Sequence, residues 1–120
     1  MKTTIYWKDE PDHHDYPAAH SYLLLTFHKK DTDYLVEKLL KAPVEIFKAK
    51  DIFRASGLPL LGISNSHIKK NKEKIMNLEK LSPLLLVRDP DRKLIIADGY
   101  HRLCAIYSYD EDALIPCKII

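Results

Sequence analysis

Lys93-Leu94-Ile95-Ile96-Ala97-Asp98-Gly99-Tyr100-His101-Arg102-Leu103-Cys104-Ala105-Ile106 reads as an apolar strand, an Asp-Gly turn and a helix that starts at once. Gly99 allows a sharp turn and a close backbone approach to a ligand. A helix start presents unpaired N–H groups and the positive end of the macrodipole, which together attract phosphate. His101 and Arg102 stand on that first turn, and an arginine fork matches phosphate oxygens. The stretch therefore predicts a strand-turn-helix unit and, at Gly99, Tyr100, His101 and Arg102, either a phosphate cradle or a plain turn with Arg102 paired to a carboxylate and His101 solvated.

Outward from it, Leu84-Leu85-Leu86-Val87 is a buried strand and Asp89-Pro90-Asp91-Arg92 a turn, so the two apolar runs form a hairpin. Tyr100 to Tyr109 is expected as helix. Leu114-Ile115-Pro116-Cys117-Lys118-Ile119 is expected as a closing strand, with Pro116 favouring an edge or a bulge. Upstream, Val44 to Arg54 contains strand, although Ala49 to Ser56 also suits a short helix ended by Gly57. Leu58 to Gly62 is an apolar loop. Ser64, Asn65 and Ser66 are cap candidates for a helix over about His67 to Leu78.

The first third has helical spacing instead. Asp15 is expected to cap a helix over Tyr16 to Phe27, with Pro17 in its first turn. Lys29-Lys30-Asp31 reads as a break. Thr32 then caps a second helix through Tyr34 to Leu40, stopped by Pro43. Residues 1–43 thus read as an arm and a helical hairpin, and residues 44–120 as an α/β core. Together they make one α/β (α+β) domain, a small mixed sheet with flanking helices.

Asp-Gly-Tyr-His-Arg-Leu-Cys-Ala, set between Leu-Ile-Ile and Ile-Pro-Cys-Lys-Ile-Ile, resembles the core of the ParB/sulfiredoxin superfamily. The resemblance spans roughly Val44 to Ile120 and includes Ile52-Phe53-Arg54. It implies a nucleotide ligand, ATP or ADP with Mg2+, whose phosphates lie against His101 and Arg102. It also implies that Arg54 clamps phosphate. Sulfiredoxins carry a reactive cysteine where this chain has Tyr100, which argues against sulfinic-acid reduction. The Asp-Gly-x-His-Arg form is closer to kinase-like and uncharacterised members than to the partition proteins.

Around that core, a nucleotide site needs cations for phosphate and a carboxylate for metal or base. Lys48, Lys50, Asp51 and Arg54 form a second charged cluster that suits those roles, and Ser66 opens a helix that the resemblance implies flanks the nucleotide. In the enzyme reading, His101, Asp98 and Asp51 are catalytic in a phosphotransferase or nucleotide hydrolase. Gly99, Tyr100, His101, Arg102, Arg54, Lys50 and Ser66 bind the phosphates. The alternatives are a non-catalytic nucleotide-sensing or protein-interaction module, and a DNA-binding or nuclease relative. Arg102→Ala is expected to abolish nucleotide-induced stabilisation and leave the fold largely intact.

Composition narrows the classes further. In 120 residues, 46% hydrophobic and 30% charged with a net charge of +2, there is material for one core and too little basic excess to argue for nucleic acid. No apolar run approaches a membrane span, and Met1 to Glu10 is unlike a signal peptide, so a cytoplasmic location is expected. Cys104 and Cys117 read as buried thiols. His13, His14, Asp15 and His20 match no zinc spacing, so no metal site is assigned there. The basic helix bearing Lys69, Lys70, Lys72 and Lys74 reads first as a solvated face and second as an anion-binding one.

Overall fold

The computed structural model describes residues 4–62, 65–91 and 93–120. Ser64 and Arg92, expected in a cap and a turn, lie outside them. In chain order the elements are β1 (Tyr6–Trp7), α1 (Asp15–Leu23), α2 (Lys29–Lys41), β2 (Val44–Lys48), α3 (Ala49–Ser56), α4 (Ser66–Met76), β3 (Lys80–Leu81), β4 (Leu84–Val87), β5 (Ile95–Asp98), α5 (Tyr100–Tyr109) and β6 (Leu114–Ile119). The protein is mixed α/β. None of its helices, among the described residues, is long and apolar enough to cross a membrane.

Four strands form a mixed sheet in the order β2-β6-β4-β5. β6 runs antiparallel to β2 and parallel to β4, and β4 and β5 are antiparallel. β1 and β3 pair separately as a short parallel ribbon. All four residues of β4 are buried because helices cover both faces of the sheet. Side chains alternate along the strand. Leu84 and Leu86 therefore join Ile52, Ile68, Leu103 and Ile106 of α3, α4 and α5. Leu85 and Val87 join Tyr16, Ala19, Leu23 and Leu39 of α1 and α2.

The expected helical hairpin exists, with changed boundaries. Asp15 is the first residue of α1 and not its cap, a place held by His14. The Asp15 carboxylate accepts from the Asp12 N–H at 3.0 Å and from the hydroxyl of Ser82. α1 ends at Leu23, where Leu24 and Leu25 face solvent and the chain turns so that Phe27 folds back onto the same apolar cluster. Lys29-Lys30-Asp31 is the first turn of α2, not a break. Thr32 is buried within that helix, its hydroxyl donating to the Phe27 carbonyl at 3.5 Å.

Both readings of residues 44–56 hold in succession, strand β2 and then helix α3. Gly57 stops α3 at φ 66, a left-handed conformation that glycine adopts without strain. β6 departs from expectation. It lies inside the sheet, between β2 and β4, despite Pro116. The proline sits opposite Ile46 and one residue before pairing with β4 begins at Leu84 and Cys117, so the inner ladder escapes its missing N–H. Next to it, Lys118 is only 3% exposed. Its ammonium donates to the Leu40 carbonyl at 2.9 Å, at the negative end of α2, and lies 3.6 Å from Glu10.

Candidate functional site at the start of helix α5

β5 ends at Asp98, Gly99 turns the chain at φ 106, and α5 begins at Tyr100. The turn is tight. A Cβ on Gly99 would meet Leu84 Cγ at 2.7 Å and Arg102 Nη2 at 2.9 Å. Glycine also brings no capping side chain. The first intrahelical bond runs from the Leu103 N–H to the Gly99 carbonyl at 2.9 Å, so the amides of Tyr100, His101 and Arg102 precede the helical ladder.

That helix start opens into a cleft of about 240 Å³ lined by Asp98, Gly99, Tyr100, His101 and Arg102 on one side and by His67, Lys70, Asn71 and Lys74 of α4 on the other. α4 packs along α5 through Ile68 and Ile75, which leaves these polar residues on the cleft side. Neither Lys70 nor Lys74 has an ion-pair partner among the described residues. Their spacing at i and i+4 puts them on one side of a helix, which by itself leaves a solvated face and an anion-binding face both open.

Arg102 is less free than its position suggested. Its side chain is 16% exposed, and Nη2 donates to Asp98 Oδ2 at 3.1 Å and to the Pro83 carbonyl at 3.5 Å. Its Nε is buried without an acceptor. Burial raises the Asp98 carboxyl above its ordinary range, Arg102 pulls it back, and the neighbouring Asp15 carboxylate adds to the rise. Arg102 therefore compensates Asp98 as well as facing the cleft. Removing it would leave Asp98 without its cation and beside the Asp15 carboxylate, so the fold cannot be indifferent to Arg102→Ala.

Tyr100 is anchored by its hydroxyl, which donates to the Pro59 carbonyl and ties the Leu58–Gly62 loop to α5. Burial raises its phenol. His101 stacks obliquely on His67, and burial first and His67 second hold its imidazole below the ordinary value. Cys104 and Cys117 are both buried, and desolvation raises both thiols, that of Cys117 to about 12. Neither is poised as a nucleophile.

The other expected site residues lie elsewhere. Lys50 pairs with Asp112 at 2.7 Å across the α5–β6 turn. Arg54 is 83% exposed and lies 3.8 Å from Asp51. Asp51 lines a separate, larger depression of about 460 Å³ floored by Phe47, Ile52, Leu86 and Ile119. None of the three lines the α5 cleft. Ser66 is the first residue of α4 and lines a neighbouring cavity of about 320 Å³; Asn65 is the cap. The loop before α1 brings ligand-type atoms of Asp12, His14 and Asp15 within 4.8 Å of one another. There, Lys8 occupies both Asp12 oxygens at 2.8 and 2.9 Å. The loop thus secures the start of α1 against Ser82.

No protein-family model, curated protein or solved structure matches this chain.

Proposed function

We propose that this protein binds the phosphate groups of a nucleotide, ATP or ADP, in the cleft at the start of α5, as a nucleotide-binding protein of ParB/sulfiredoxin type. The observation that carries the reading is the meeting of an uncapped helix N-terminus with His101, Lys70 and Lys74 in one concave site. Amides of the first turn would hold phosphate oxygens, and the lysines and Arg102 would supply charge. The Asp-Gly-Tyr-His-Arg motif supports a nucleotide as the bearer of those phosphates. The cleft is lined almost wholly by polar groups, so it suits the phosphates and leaves the base outside.

Binding is favoured over turnover. Among the described residues Asp98 is the one carboxylate lining the cleft, and it is committed to Arg102. It is poorly placed to hold Mg2+ or serve as a base, so Mg2+ would arrive coordinated by the nucleotide itself. A thermal-shift panel of ATP, ADP and AMP, with and without Mg2+, tests the proposal. A specific ligand at a hundred times its dissociation constant adds about 2.7 kcal/mol of stability. No shift with any phosphate-bearing compound would refute it, and release of labelled phosphate from ATP would favour the enzyme reading.

A further inference from the structure

Two imidazoles meet inside the cleft. His67 is the second residue of α4 and His101 the second of α5. Their ring centroids are 4.8 Å apart with planes inclined at 38°. Both rings line the cleft, each at the positive end of its helix. Two imidazolium ions at that separation repel, and at His101 burial adds to the cost of charge.

The surroundings make the same demand. From α4 the pair is faced by Lys70 and Lys74, with Glu73 on the flank beside His67. From α5 it is faced by Tyr100, whose ring lies 5.7 Å from that of His101, and by Arg102. From β5 comes Asp98, already engaged by Arg102. Positive groups therefore dominate around the imidazole pair. In agreement, His101 is held below its ordinary value by burial and by His67. A phosphate dianion entering the cleft would reverse the balance and favour the charged imidazoles.

We propose that His67 and His101 form a proton-linked anion clamp, taking up protons from solvent as a phosphate-bearing ligand binds, so that affinity rises as pH falls from 8 to 6. This rests on the phosphate-binding reading and adds its regulation. By linkage, a ligand that raises an imidazole pKa must bind more tightly to the protonated protein. The sign is diagnostic. A phosphate ester has a second pKa of about 6, so binding its dianion can only release protons from the ligand. Net uptake must come from the protein.

The test is calorimetry of the full chain with ADP at pH 7 in two buffers of different ionisation enthalpy, and with sulfate, which does not titrate in this range, at pH 8, 7 and 6. Net proton uptake is expected with ADP. Sulfate affinity should rise about fivefold from pH 8 to 6, the change that a one-unit rise in one imidazole pKa produces. His67→Asn and His101→Asn, checked for folding by circular dichroism, should each reduce the uptake and flatten the pH profile. Binding without uptake, or full uptake in His67→Asn, overturns the clamp and leaves phosphate binding standing. Absence of binding by both ADP and sulfate at every pH overturns the phosphate reading and the clamp with it.

Discussion

The N-termini of α4 and α5 face the same cleft and are finished in opposite ways. At α4, Asn65 Oδ1 accepts from the amides of His67 at 2.9 Å and Ile68 at 3.4 Å, so the chain satisfies its own orphan donors. At α5 the equivalent place is Gly99, with a positive φ and no side chain to accept anything. Both ends carry the same dipole. Only at α5 do the amides remain available to a ligand. A cap closes a helix start; a left-handed glycine lets the chain turn in and leaves the start open. α4 contributes through side chains, α5 through backbone and side chains together.

The largest expected effect breaks the α5 end. Arg102→Ala removes the cation that offsets Asp98, whose carboxylate also neighbours that of Asp15, and should cost about 3 kcal/mol, in the range for a broken, mostly buried ion pair. Urea denaturation at pH 7 measures it. ADP should no longer stabilise the variant. A loss near zero would mean that water already screens the two carboxylates.

Gly99→Ala comes next, at about 2 kcal/mol, because alanine is strained at φ 106 and its Cβ meets Leu84. It should also weaken ADP binding by displacing the first turn of α5. Asn65→Ala sharpens the contrast. It should cost about 1 kcal/mol, the worth of a lost cap, and leave ADP affinity essentially where it was. If Asn65→Ala and Gly99→Ala weakened ADP binding equally, the distinction between the two helix starts would be wrong.

The smallest effect is a pH dependence. The folded state holds His101 below its unfolded value, so the unfolded chain binds the proton more readily. No penalty exists above the unfolded pKa. It grows as pH falls below about 6.5, through the lowered folded pKa. Urea midpoints at pH 7.5 and 5.5, compared between the wild type and His101→Asn, isolate this contribution. Without ligand, the wild type should lose more stability on acidification than the variant. Saturating sulfate should diminish the difference.

Legibility from sequence followed the range of the physics. The limits of α5 and the β4–β5 hairpin were readable because strand alternation, the Asp-Gly turn and helical spacing are local. Gly57 likewise announced the end of α3. Long-range terms decided elsewhere. Asp15 looked like a cap because Asp commonly is one, yet its carboxylate is claimed by Ser82, far along the chain. Pro116 looked like an edge marker, but the register of β4 places it just outside the inner ladder. Nothing near Lys118 in the chain announces that the end of α2 supplies a carbonyl for its buried ammonium.

The same division runs through the candidate site. Residues 98–102 by themselves determine a strand, a left-handed glycine and an uncapped helix start, because backbone sterics and first-turn hydrogen bonding involve only near neighbours. Only the packing of α4 on α5 decides that Lys70, Lys74 and His67 face that start. That outcome depends on burying Ile68 and Ile75 against the α5 side of the sheet. That burial sets how α4 is turned, and with it which polar residues reach the cleft.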